Sequence, residues 1–107
     1  MIATKASENI EQAVAYELLN ITEEHGKRYN TPHEGYAVLL EEVEEARDWL
    51  QKINNNLAYI WAVIKGNHFD KAPEAIRELS GYAVELAKEA VQVAAVCDKY
   101  MSGTVNN

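Results

Sequence analysis

The chain has 107 residues, enough for one domain with one modest core, and its 48% hydrophobic and 25% charged residues are the balance of a folded globular protein. A net charge of −7 excludes a nucleic-acid backbone as the main partner, because phosphate binding needs a basic footprint. The single Cys97 excludes an intrachain disulfide framework, no apolar run is long enough to span a bilayer, and the start MIATKASENIEQ has no apolar signal core, so a cytoplasmic protein with no membrane partner is expected. With two prolines and five glycines against frequent alanine, leucine and glutamate, helix is favoured throughout.

The first helix is predicted from an N-cap at Ser7 to about Gly26 or Tyr29, with Ile10, Val14, Leu18 and Ile21 at helical spacing as its buried stripe. Glu17 and His25 fall near that stripe. His25 is expected as a hydrogen-bonded histidine in or near the core, and in a bundle Glu17 could face the acidic group on the second helix.

After the connector Tyr29-Asn30, a second helix is predicted over Thr31 to Ile53. Thr31 can cap it, Pro32 suits its first position, and Glu34, three residues after Thr31, completes a capping box. Each residue advances roughly 100° around the axis, which puts Val38, Leu39, Val43, Ala46, Trp49, Leu50 and Ile53 on one side, to be buried. Glu42 projects between Trp49 and Ile53 in the middle of this apolar arc. Glu45 lies at its edge, Glu41 one step further out, and Glu44 points to solvent. An ionised carboxylate in such a place needs compensation. A Lys or Arg from a neighbouring helix can give it, the glutamates can reach outward to water, or Glu41, Glu42 and Glu45 can share a hard divalent cation such as Mg²⁺.

Asn54-Asn55-Asn56 are poor helix formers and predict a break. Leu57 to Ile64, LAYIWAVI, then reads as a separate apolar segment with little polar face, best placed at a subunit interface. Gly66-Asn67 closes it and a loop runs to Lys71. The last helix is predicted from Ala72-Pro73-Glu74 to about Met101, ended by Gly103. Its buried stripe is expected to be Ile76, Leu79, Ala83, Ala87, Ala90, Ala94 and Cys97, with Glu78, Glu85, Lys88, Glu89 and Gln92 on the opposite side. Asp98 projects to the apolar side, and Ser102 to Asn107 should fray. The expected fold is all-α, a single domain over residues 1–107 built as a four-helix up-and-down bundle with short connections. No repeat, phosphate loop, nucleophile elbow or Cys/His cluster is present, so any chemistry must come from carboxylates.

Glu41-Glu42-Val43-Glu44-Glu45 on one helix, followed by Glu89-Ala90-Val91-Gln92 on another, resembles the all-α nucleoside triphosphate pyrophosphohydrolases of the MazG-like type. That family's pattern is E-E-x-x-E and then E-x-x-D, four acidic side chains that bind Mg²⁺. His33-Glu34-Gly35-Tyr36 is similar to the opening of the first motif helix in short, stand-alone members, including phage-encoded ones, and the likeness spans Pro32 to Tyr100. Two departures stand out. Gln92 replaces the aspartate, exchanging an anionic ligand for a neutral amide oxygen, and the gap between Glu45 and Glu89 is longer than usual.

The resemblance implies Mg²⁺, or Mn²⁺ in its place, held by Glu42, Glu45 and Glu89 with Gln92 as a weak fourth ligand. Glu85 or Asp98 would be available to supply the missing charge. Glu41 or Glu42 would act on the attacking water, and a nucleoside or deoxynucleoside triphosphate would be split into monophosphate and pyrophosphate. Tyr36, Trp49 and Trp61 are the aromatic candidates for contact with the nucleotide, although aromatics at helical spacing are more often core. A homodimer or dimer of dimers, with the nucleotide near the subunit interface, would complete the thin core of one chain. A non-catalytic acidic helical interaction protein with a degenerate metal site is the alternative, and an acidic mimic of nucleic acid follows only from the charge.

Overall fold

The computed structural model describes residues 1–104, and among them all regular structure is helical. Three α-helices follow one another: α1 (Thr4–His25), α2 (Pro32–Lys65) and α3 (Ala72–Lys99). A 3₁₀ turn, Phe69–Lys71, leads into α3, and a π-helical turn, Tyr100–Thr104, follows it. Ser102 and Gly103, expected to fray, belong to that turn, and the remainder of the expected tail, 105–107, lies outside the described residues. Among the described residues no helix is long and apolar enough to cross a membrane.

Helix α1 begins three residues before Ser7. Ala3 is its N-cap, with no side-chain cap bond, and the Ser7 N–H donates to the Ala3 carbonyl at 3.0 Å. Lys5 and Ala6 are strong helix formers, so the helix extends past a possible cap. Its end is at Gly26, whose φ of 84° suits glycine and whose N–H donates to the Thr22 carbonyl at 2.9 Å. Val14, Glu17, Leu18 and Ile21 are half-buried, whereas Ile10 is on the surface. His25 is exposed in the last turn rather than near the core.

The N-terminus of α2 forms much as its residues dictate. The Glu34 N–H donates to Thr31 Oγ1 at 3.1 Å, and the Glu34 carboxylate reaches back to Asn30, accepting from its backbone N–H at 3.2 Å and its side-chain amide at 3.1 Å. The expected break at Asn54-Asn55-Asn56 is absent, and α2 runs unbroken to Lys65. The asparagines find partners that leave the helix intact: Gln51 Nε2 donates to Asn55 Oδ1 at 3.0 Å, and Asn56 Nδ2 donates to the Ala75 carbonyl at 3.0 Å. One chain therefore contributes three α-helices in place of the four expected. The end of α2 is a Schellman motif in which Asn67, at φ 61°, takes the left-handed position, His68 N–H bonds to Val63 O at 2.8 Å and Asn67 N–H to Ile64 O at 3.1 Å.

Helix α3 buries a different face from the one expected. Of the expected stripe Leu79 and Ala94 are half-buried, but Ile76, Ala83, Ala87, Ala90 and Cys97 are exposed, and Ala75, Tyr82, Leu86, Glu89, Val93 and Val96 turn inward with Leu79. Both sets recur at helical spacing, but the larger apolar side chains remove more area from water than alanines do, and they decide the orientation. Glu85, Glu89 and Gln92 are consequently half-buried instead of solvated.

The chain divides into two compact units, Met1–Val43 with Glu89–Asn107, and Glu44–Lys88. In the first unit Tyr29, Ala95 and Val96 are buried. Gly35 is buried with them, because a Cβ there would stand 2.6 Å from Tyr100 Cδ2. In the second unit Ile60, Val63, Ala72 and Ala75 are buried, the rings of Trp49 and Tyr82 lie 6.0 Å apart, and Lys52 Nζ sits 4.2 Å above the Trp49 ring. The LAYIWAVI segment is split between the two environments. Ile60 and Val63 point inward, and Leu57, Tyr59, Trp61 and Ile64 remain on the surface.

Candidate functional site

The first unit contains a cavity of about 440 Å³ whose walls combine acids, amides, a lysine and apolar side chains. Helix α1 contributes Glu17, Asn20 and Glu24, the start of α2 contributes Glu34, Val38 and Glu42, and α3 contributes Gln92, Val96 and Lys99. Tyr29 in the connector lies beside them. The residues of α3 follow the helical spacing 92, 96, 99, so one face of one helix presents an amide, a methyl surface and an ammonium in succession.

Several of these groups are fixed by hydrogen bonds. Gln92 Nε2 donates to Glu17 Oε1 at 3.0 Å, and Asn20 Nδ2 donates to the same oxygen at 3.3 Å, so one carboxylate of α1 is held by amides from two helices. Glu34 is occupied by Asn30. Glu24 lies 3.6 Å from His25 Nε2, a pairing with charge only when the imidazole is protonated. The Tyr29 phenol is pushed above its ordinary pKa, first by burial and then by the negative fields of Glu42, Glu34 and Cys97.

Next to this cavity, Glu42 on α2 and Glu89 on α3 present carboxylate oxygens within 4.8 Å of each other. Both side chains are half-buried, and Glu89 Oε2 is shielded from solvent. Glu45 follows Glu42 by three residues on the same uninterrupted helix, and its carboxylate also comes within 4.8 Å of that of Glu42. Carboxylate oxygens are hard donors, and such a set fits Mg²⁺ better than a softer metal. A lone ionised glutamate in this position would be costly, and a cation would relieve the mutual repulsion of the acids.

The other expected site residues are placed elsewhere. Glu41 is exposed, one step around α2 from Glu42. Glu85 is half-buried and accepts from Lys88 Nζ at 3.1 Å, so its charge is already used by a neighbour one turn away. Asp98 is exposed, contrary to the expected apolar orientation, because the inward face of α3 is rotated away from it. None of the expected aromatics lines the cavity: Tyr36 and Trp61 are exposed, and Trp49 is stacked with Tyr82 and Lys52 in the second unit. The aromatic ring at the cavity is that of Tyr29, which the sequence reading left in a connector. Lys99 was also missed, although continuing the spacing Glu89, Gln92, Val96 by one more turn reaches it. Glu17, expected to face the acidic group of the second helix, lines the cavity with Glu42 and is bonded to Gln92 of α3.

No family model, curated protein or solved structure matches the chain.

Proposed function

We propose that the protein is a divalent-metal-dependent nucleoside or deoxynucleoside triphosphate pyrophosphohydrolase of MazG-like type. The observation that carries the proposal is the approach of Glu42 and Glu89, from two different helices, to within 4.8 Å beside a cavity of ligand size. The E-E-x-x-E and E-x-x-Q pattern supports it. Glu42, Glu45 and Glu89 would hold Mg²⁺ or Mn²⁺, with the Gln92 amide oxygen as a neutral fourth donor, and the cation would neutralise the phosphates of the substrate.

Hydrolysis of the α–β anhydride consumes one water and gives nucleoside monophosphate and pyrophosphate. Of the two candidates for taking the water's proton, Glu42 lines the cavity and Glu41 does not, which favours Glu42. Glu17, fixed by Gln92 and Asn20, restores at the wall the negative charge that an aspartate at position 92 would have brought. A homodimer or dimer of dimers belongs to the same proposal, supported by the exposed Leu57, Trp61 and Ile64, as does a cytoplasmic location.

A second assignment, an acidic interaction protein without catalysis, is favoured by one feature: Gln92 brings a neutral amide where the motif has an anionic aspartate, and it is held by Glu17. Pyrophosphate release measured over the common ribo- and deoxyribonucleoside triphosphates with Mg²⁺ separates the two. The enzyme should release pyrophosphate from at least one of them, and Glu42→Gln or Glu89→Gln should lower the rate about a hundredfold or more. Absence of release with either Mg²⁺ or Mn²⁺ would leave the interaction protein.

A further inference from the structure

Lys99 is 3% exposed on the wall of the first unit's cavity, and its ammonium lies 4.3 Å from the centre of the Tyr29 ring. Among the described residues the ring face is its partner, and the ammonium makes no hydrogen bond or ion pair. A lysine carries three N–H donors, and a π face attracts the charge without accepting them as an oxygen would. The Nζ itself is open to solvent at the cavity wall, so water completes its shell there and an anionic oxygen entering the cavity would take that water's place.

Of the four glutamates on the cavity wall, two are tied to amides. Glu17 is held by Gln92 at 3.0 Å and Asn20 at 3.3 Å, and Glu34 is held by Asn30 at 3.2 and 3.1 Å. Amides thus occupy these two carboxylates, and Lys99, the one lysine on the wall, is paired with neither. A bare anion would be repelled by Glu17, Glu24, Glu34 and Glu42, whereas a phosphate already complexed by a divalent cation carries less charge and would be admitted.

We propose that Lys99 is the phosphate contact of this cavity, donating to a non-bridging oxygen of a metal-complexed polyphosphate chain. The proposal rests on the pyrophosphohydrolase assignment and adds to it a group outside both acidic motifs. Tyr29 acts as a positioning residue, holding the ammonium at the wall through its ring face.

The test uses the full chain with Mg²⁺ and inorganic tripolyphosphate as probes, followed by the Nζ resonance of Lys99 in NMR spectra of the wild type and by calorimetric affinity for the wild type and Lys99→Met. The resonance should move when the Mg²⁺–tripolyphosphate complex is added, beyond any change with Mg²⁺ alone. Lys99→Met should bind the complex about tenfold more weakly or worse, with Mg²⁺ affinity alone changed by no more than about threefold. Equal affinity of the two proteins for the complex, or an unmoved resonance in a wild type that binds it, overturns the proposal. If the wild type takes Mg²⁺ but no tripolyphosphate, the Lys99 contact falls and the metal site stands; if it takes neither, both fall. Should Lys99→Met fail to fold, the wild-type resonance decides alone.

Discussion

Helices α2 and α3 run through both compact units, and what they turn inward differs sharply between them. In Glu44–Lys88 the inward positions are mostly apolar, Trp49, Ile53, Ile60 and Val63 on α2 and Leu79, Tyr82 and Leu86 on α3, with Asn56 and Glu85 half-buried among them and Lys52 stacked on aromatic faces. In the first unit the same helices turn Glu42, Glu89, Gln92 and Lys99 inward beside Val38, Leu39, Val93, Ala95 and Val96. Apolar burial stabilises without needing partners, whereas inward polar groups cost stability unless each is bonded or bound to a ligand. The first unit thus carries inward polar groups that hydrogen bonds orient, which is the feature on which the proposed ligand site rests.

The largest structural effect should come from breaking the apolar side of this contrast. Ile60→Ala removes a side chain that is 7% exposed and should cost about 2–5 kcal/mol, read by denaturant unfolding. Because it lies outside the acidic group, any response of the folded protein to Mg²⁺ should survive. Loss of that response in a variant that still folds would show that the two units do not divide the work in this way.

A smaller effect sharpens the polar side. The Tyr29 phenol is raised above its ordinary pKa of about 10 by burial and by Glu42 and Glu34. On raising the pH, the unfolded chain loses this proton first, so the folded state is penalised. The stability contributed by the neutral phenol is complete below pH of about 10 and is lost as the pH rises through the folded value. Tyr29→Phe keeps the ring under Lys99 and should flatten the alkaline fall in stability above pH of about 10, with little change at neutrality. An alkaline fall equally steep in Tyr29→Phe would assign it to other groups.

The legibility of these features in the sequence followed how local their causes are. The Thr31–Glu34 cap and the arc carrying Glu42 could be read directly, since both depend on neighbours within one or two turns of one helix. Asn54-Asn55-Asn56 misled because their intrinsic preference for turns is overridden by bonds to Gln51 and to the distant Ala75. The face of α3 misled because two stripes share one period, and side-chain size decides between them only when a neighbour is present to cover them. Tyr29 and Lys99 meet across 70 residues of chain, and nothing short of the tertiary arrangement brings a connector tyrosine under a helix-end lysine.

On the proposed function, Glu42 and Glu89 are held together for a divalent cation. The most direct test is the thermal unfolding midpoint of wild type and Glu42→Gln, with and without Mg²⁺. A ligand that binds only the folded state stabilises it by about 2.7 kcal/mol at a hundred times its dissociation constant, which is readily seen in a chain of this size. The midpoint of the wild type should rise with Mg²⁺ and that of Glu42→Gln should not. A midpoint that ignores Mg²⁺ in the wild type, or rises equally in both proteins, would contradict the claim.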